Sequence, residues 1–134
     1  MVSRIADAAR AEVFDDFLTH ATCLLNGNRW QYADVLAGVV FEDTVRRACE
    51  RLGVTQAGVE LEQLITALNK REALNDGQTR RARAAAGLRT QATHAQWDEF
   101  GATDVEHAIK LSRELIDLLL AWRTGFATRT RLRS

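Results

Sequence analysis

The feature that most constrains the fold is the absence of proline from all 134 residues, which include only 8 glycines. Proline is the residue that breaks helix interiors most strongly, and this chain is rich in alanine, leucine, arginine and glutamate, which favour helices. Apolar residues also recur at the three- and four-residue spacing of amphipathic helices. The sequence therefore predicts an all-α fold.

The periodic segments predict four long helices and one short one, at about 3–26, 29–52, 59–70, 76–94 and 103–123. Short connections favour an antiparallel four-helix bundle, with the short helix lying between the second and third long helices. Thr103-Asp104-Val105-Glu106 fits the S/T-x-x-E capping box at the start of the last helix. Gly38, inside the second helix, is unfavourable there and indicates close contact with a neighbour.

Length and composition predict one globular domain over residues 1–134, with 46% hydrophobic and 27% charged residues. The net charge is zero, but residues 1–67 carry four more acidic than basic side chains, and residues 68–134 the reverse. Residues 124–134 are expected to form a basic tail. This asymmetry is a weak indication of a phosphate-bearing partner, since an arginine-rich end is also a common solvated surface.

Several classes of function find no support in the motifs. The N-terminal residues lack the apolar run of a secretory signal, and the longest apolar run is too short to span a membrane, so we expect a cytoplasmic protein without membrane contact. Histidines and carboxylates lack a metal-binding spacing, and there is no G-x-S-x-G or Gly-Lys-Ser/Thr motif. The sequence predicts neither a metal nor a cofactor.

The stretch 87–99 concentrates the polar groups with the strongest claim to a function. Arg89 shares a helix face with Ala85, Ala86 and Ala92, so its guanidinium is expected to face the bundle. A buried guanidinium requires an anion, which predicts either a bound phosphate or a carboxylate, with Glu42 and Asp43 as the natural protein partners. An internal ion pair without chemistry is an equally consistent interpretation.

His94 lies five residues after Arg89, which rotates it by about 140° around a continuous helix. The two side chains therefore do not share a face, unless the helix opens near His94 or both meet a ligand at an edge formed with a second subunit. A lone helical histidine is usually structural. Trp97 is close enough to His94 to stack on a bound base.

The segment Arg89-Thr90-Gln91-Ala92-Thr93-His94 matches the R-x4-6-H motif of the HEPN superfamily of small helical bundles. Residues 33–47, with small residues at the centre and an acidic pair, resemble the family's second helix. The motif also lies at the end of a later helix and precedes a final helix, as in that family. The chain resembles the family over most of its length.

The resemblance implies a metal-independent endoribonuclease, in which Arg89 holds the scissile phosphate and His94 acts as general acid or base. It further implies a homodimer that binds RNA, and a toxin or defence component that can have an antitoxin partner. Thr90, however, stands where catalytic members usually carry Asn, Asp or His. This departure leaves two alternatives: a non-catalytic binding module with Arg89 anchored to Glu42 or Asp43, and a helical dimerisation scaffold.

Overall fold

A computed structural model describes residues 2–93 and 101–120 of the chain. These residues form five α-helices and no strand, which confirms the all-α prediction for the part described. The helices are α1 (Val2–Asn26), α2 (Trp30–Arg51), α3 (Leu61–Lys70), α4 (Asp76–Thr93) and α5 (Ala102–Leu115), and α5 continues as a π-helical turn, Ile116–Leu120. The predicted ends at His94 and Arg123, and the predicted tail 124–134, lie outside the described residues.

Two helix ends follow the local sequence signals. Asn75 caps α4. Its Oδ1 accepts from the backbone N–H of Gln78 at 2.7 Å, and Gln78 Oε1 accepts from the backbone N–H of Asn75 at 2.9 Å. This is the reciprocal arrangement of a capping box. After α2, Gly53 adopts a positive φ of 77°, and the Val54 amide donates to the Cys49 carbonyl at 2.8 Å. The glycine thus supplies the left-handed residue that commonly terminates helices.

The predicted cap of α5 is wrong. The helix begins at Ala102, so Thr103 lies inside its first turn instead of preceding it. The extended residue before the helix is Gly101, whose amide donates to Asp104 Oδ2 at 3.1 Å. Asp104 therefore performs the stabilising role at the N-terminus that the motif assigned to Glu106, because the carboxylate three residues after the actual cap reaches its amide.

α2 is the central element, since it packs against each of the other four helices. Its C-terminal half joins α3, α4 and α5 around one hydrophobic cluster, and its N-terminal half joins α1, α5 and the π-helical turn around another. The largest side chains that are fully buried in the two clusters are Phe41, Leu18, Leu64, Ile65, Leu68, Leu74, Leu115 and Leu120. Only a narrow strip of α2 is therefore left facing solvent.

α1 and α2 run side by side in opposite directions. The chain turns between them within three residues, and Arg10 Nη1 near the start of α1 bonds Asp43 Oδ2 in the second half of α2 at 2.8 Å. This contact fixes which residues of the two helices lie level with each other. Among the described residues, no helix combines the length and apolar character needed to cross a bilayer.

Candidate functional site

A row of four residues on α2 faces α4. Asp34, Gly38, Glu42 and Arg46 are spaced four residues apart, which places them along one side of the helix. Across from this row, α4 presents Arg89, which bonds Glu42 and lies against Gly38. The contact between α2 and α4 thus brings together two arginines and two carboxylates.

Gly38 makes room for Arg89. A β-carbon built on Gly38 would lie 2.8 Å from Cδ of Arg89 and 3.7 Å from its Nε. Ordinary carbon contacts are about 3.5–4.0 Å, so any larger residue would displace the arginine side chain. The predicted close contact at Gly38 is confirmed, and the group that approaches it is a side chain.

Glu42 is shared by two arginines. Its Oε1 accepts from Arg89 Nε at 3.2 Å and its Oε2 from Arg46 Nε at 3.0 Å. Arg46 also donates from Nη1 to the carbonyl of Gln56 at 2.8 Å, which fixes it against the connection to α3. Burial alone would raise the pKa of Glu42, but the hydrogen bonds and charges of Arg46 and Arg89 outweigh it and hold that pKa below its ordinary value. Of the two anions predicted beside Arg89, a phosphate or a carboxylate, the described residues supply the carboxylate of Glu42.

Asp34 lies one turn before Gly38 and is only 2% exposed. Burial raises the pKa of its carboxyl from 3.8 to about 6, although the nearby positive charge of Arg89 lowers it in part. Its Oδ2 has no hydrogen-bond partner among the described residues. A buried carboxyl that is incompletely bonded opposes folding when it is ionised, so stability alone does not explain this residue.

An open groove of about 470 Å³ runs beside the Arg89–Glu42 pair. Two arginines and three glutamates contribute to its lining, so an anion gains attraction from Arg46 and Arg89 while Glu60 and Glu62 repel it. The groove is lined by Glu42, Arg46, Glu60, Leu61, Glu62, Ala86, Arg89 and Thr90. Since the side chain of Arg89 is 27% exposed, its guanidinium is held by the fold and still accessible from the groove.

Asp43 and Thr90, the other two residues considered for this site, bond groups other than Arg89. Asp43 does not pair with Arg89; it bonds Arg10 of α1, because one residue beyond Glu42 is a rotation of about 100° towards the opposite side of α2. Thr90 does line the groove, but its hydroxyl donates to the Ala86 carbonyl of its own helix at 3.2 Å. Only Glu42 of the predicted acidic pair therefore belongs to the Arg89 site.

His94 and Trp97 lie outside the described residues, so their positions relative to Arg89 stay a prediction. Sequence reasoning missed Asp34 and Arg46 as members of this site. The four-residue spacing of Asp34, Gly38, Glu42 and Arg46 was the signal that could have found them, since it aligns two acids and an arginine with the glycine.

The described part of the chain contains no group of three or more His, Cys, Asp or Glu residues arranged to hold a metal ion. Comparison of the chain with protein-family models, curated proteins and solved structures finds no significant match.

Proposed function

We propose that the protein is a HEPN-like, metal-independent endoribonuclease that acts as a homodimer, with Arg89 on the scissile phosphate and His94 as general acid or base. The observation that supports this proposal best is the setting of Arg89. Its guanidinium lies over Gly38, beside a buried carboxyl, and remains open to a groove. Guanidinium groups match phosphate oxygens in geometry and charge, which makes such a residue suited to an RNA backbone.

In the proposed reaction, the 2′-hydroxyl of one ribose attacks the adjacent phosphorus while the bond to the 5′-oxygen breaks. A base removes the proton of the 2′-hydroxyl, and an acid protonates the departing 5′-oxygen, leaving a 2′,3′-cyclic phosphate and a 5′-hydroxyl. Imidazole titrates near neutral pH, so His94 suits either transfer. The nucleophile belongs to the RNA, and the proposed reaction therefore calls for no metal or cofactor.

Glu42 has a defined place in this proposal, as the internal occupant of the anion site. Its two oxygens contact Arg89 and Arg46 separately, as the oxygens of a phosphodiester would. We propose that RNA displaces this carboxylate and that Arg46 then contributes a second phosphate contact. Thr90 is assigned no catalytic role, since its hydroxyl bonds its own helix.

The proposal also includes an antiparallel four-helix bundle, a cytoplasmic location, and a toxin or defence role with an antitoxin as a further partner. The opposed directions of α1 and α2 support the bundle. Cys23 and Cys49 are both unpaired, which agrees with a reducing compartment.

The direct experiment is cleavage of a labelled RNA in EDTA by the purified protein, with mass analysis of the product ends. We expect 2′,3′-cyclic phosphate ends, and no cleavage at a position that carries 2′-deoxyribose. His94→Ala should reduce the rate at least about a hundredfold, the usual contribution of one acid–base group. Arg89→Ala should reduce it by a similar factor, about a hundredfold or more, because it removes a donor that stabilises the charge on the phosphate. His107→Ala is the matched control, since His107 is an exposed histidine on α5 away from this groove. If the parent protein cleaves no RNA, or if His94→Ala cleaves as fast as the parent, the proposed endoribonuclease activity is refuted.

Glu42→Gln tests the anion site separately. It removes the internal negative charge and keeps the size of the side chain, so we expect tighter RNA binding. Arg46→Ala should weaken binding and flatten its salt dependence, because phosphate contacts release counterions. Filter binding or fluorescence anisotropy across salt concentrations measures both effects, and weaker binding by the Glu42 variant would contradict the displacement.

A second candidate is a non-catalytic binding module, which the direct Arg89–Glu42 bond favours. In that case Arg89 is an anchor of the fold. Arg89→Ala and Glu42→Gln should then both lower the melting temperature, while His94→Ala changes it little and the parent protein cleaves no RNA.

A further inference from the structure

An exposed apolar stripe runs along the neighbouring surfaces of α1 and α2. Its members are large hydrophobic side chains with roughly two-fifths or more of their area exposed: Val13, Phe17, Tyr32, Val35 and Val39. The Arg10–Asp43 bond sets the register of the two antiparallel helices, so Val13 lies level with residue 40 and Phe17 with residue 36. Val13 and Phe17 share a face of α1 with Arg10, and Tyr32, Val35 and Val39 share a face of α2 with Asp43, so the bond between the two places these faces side by side. Exposed apolar patches of this kind mark interaction surfaces.

The α2 part of the stripe lies between the contacts that α2 makes with its two flanking helices. On one side, Asp43 bonds Arg10 of α1; on the other, Glu42 bonds Arg89 of α4. Val35 and Val39 lie between these contacts, on the strip of α2 that no other described helix covers. The stripe is thus adjacent to the Arg89 site without belonging to it.

The distribution of residues along the stripe is self-complementary for an antiparallel pair. Val35 and Val39 stand two residues either side of position 37, and Tyr32 stands five before it, as far as Glu42 stands after it. Arg29 lies over the Tyr32 ring at 5.7 Å, and Asp43 at the opposite end is 40% exposed although it bonds Arg10. In an antiparallel pair centred on residue 37, Arg29 of each copy lies about two residues, roughly 3 Å along the helix, from the level of Asp43 of the other. A parallel pair instead places Arg29 beside Arg29 and Asp43 beside Asp43.

We propose that a second copy of this chain docks on this stripe, with the two α2 helices antiparallel and crossing near residue 37. Because it names the surface of the dimer proposed above, this inference rests on the proposed function. A two-fold axis perpendicular to α2 in the interface keeps the α4 side of both copies on the same side of the pair. Arg89 contacts Gly38, next to the crossing point, so both Arg89 side chains open onto one edge of the dimer.

Solution mass measurements test the surface. The parent protein should be dimeric by analytical ultracentrifugation, and Val39→Glu should raise the dimer dissociation constant at least about tenfold, the effect of roughly 1.4 kcal/mol. Leu52→Glu is the matched control, since Leu52 is 40% exposed at the far end of α2 and should not alter association. A parent protein that is monomeric at all concentrations, or equal effects of both variants, would overturn the proposal.

Cysteine pairing tests the orientation in a Cys23→Ser background. Antiparallel crossing near residue 37 predicts a disulfide between Val35→Cys on one copy and Val39→Cys on the other when the two proteins are mixed. Tyr32→Cys should not pair with itself, because the two residues would be about 15 Å apart along the helices. Efficient self-pairing at position 32 would show a parallel arrangement and contradict the proposal.

The outcomes separate this inference from the enzyme. A dimer disrupted by Val39→Glu but inactive on RNA would support the surface and refute the cleavage. A monomer that cleaves RNA through Arg89 would refute the surface and leave the chemistry intact.

Discussion

The side of α2 that faces α1 and the side that faces α4 both pack closely, but with different kinds of side chain. Towards α1, the helix buries Ala33, Ala37 and Val40 in an apolar cluster, and its ion pair with Arg10 lies at the partly exposed edge. Towards α4, it places Asp34, Gly38 and Glu42 against an arginine. Both sides use small residues for close approach, but only the second fills the space so gained with charged groups.

This difference indicates what each side contributes. Apolar burial stabilises by about 25 cal/mol per Å² and requires no particular partner, so the α1 side serves the fold. Charged groups withdrawn from water gain little net stability even when paired. The charged residues on the α4 side therefore stabilise the fold less than apolar residues packed in the same positions would. This is typical of residues kept for binding or chemistry.

The largest expected effect is on the apolar side. Leu18→Ala removes a side chain that is fully buried in α1 and should lower the free energy of unfolding by roughly 2–5 kcal/mol. Arg89→Ala should lower it less, because Glu42 keeps its bond to Arg46. Urea unfolding of both variants measures the difference. If Arg89→Ala lowers stability as much as Leu18→Ala, the two sides of α2 are equivalent for stability. That result would favour the second candidate function, in which Arg89 is an anchor of the fold.

The second effect has the opposite sign. The raised pKa of Asp34 means that the folded state prefers the protonated carboxyl. The stability that protonation of Asp34 provides is complete below about pH 3.8 and is lost as the pH rises through about 6. The ionised form therefore opposes folding at neutral pH, by on the order of 3 kcal/mol. Asp34→Asn should increase stability at pH 7.5 and show little difference near pH 4.

Thermal unfolding from pH 4 to 8 measures this dependence, with Asp117→Asn as the control, since Asp117 is exposed on the π-helical turn. A stability gain that does not change with pH would show that the effect comes from packing and not from ionisation. A loss of stability at pH 7.5 would mean that the Asp34 charge supports Arg89 more than burial opposes it.

The third effect concerns the glycine beneath Arg89. Gly38→Ala places a β-carbon 2.8 Å from Arg89 Cδ, so the arginine must move from Glu42 and the pKa of Glu42 should rise towards its ordinary value. Gly87→Ala, on α4, is the matched control because its β-carbon would meet nothing within 4 Å. It should gain up to about 1 kcal/mol from helix propensity alone. Gly38→Ala should increase the free energy of unfolding by less than Gly87→Ala does, and the difference measures the cost of displacing Arg89.

Carbon-detected NMR titration follows the Glu42 carboxyl, and urea unfolding gives the two stabilities. Equal gains from both alanines, with no change in the Glu42 pKa, would show that Arg89 adjusts without leaving its carboxylate.

The helices were predictable because their causes are local. Apolar spacing, Asn75 and Gly53 each act within a few residues, and the structure follows them. The N-terminal cap of α5 was not predictable, because Gly101 has no side chain that marks the start of the helix. The S/T-x-x-E motif instead selects Thr103, two residues later. The carboxylate beside Arg89 was predictable from the physics of a buried guanidinium.

Which carboxylate it would be was not predictable. Glu42 and Asp43 differ by one residue, and the choice depends on which side of α2 is occupied by α1 and which by α4. Asp34 was missed because a lone acid in a helix suggests a solvated position. Its four-residue spacing aligns it with Gly38 and Glu42, but its burial depends on how the helices pack.

The smallest expected effect concerns Thr90, where the resemblance and the structure can be compared directly. Thr90→Val preserves the branched shape and removes only the hydroxyl, which donates to the Ala86 carbonyl. Thr22→Val in α1 is the matched control, since its hydroxyl makes the same type of bond to the Leu18 carbonyl at 2.9 Å. Such local bonds add little to helix stability, so both variants should unfold within about 0.5 kcal/mol of the parent. If Thr90→Val alone reduces RNA binding or cleavage, the hydroxyl acts in the groove and the α4 side extends one residue beyond Arg89.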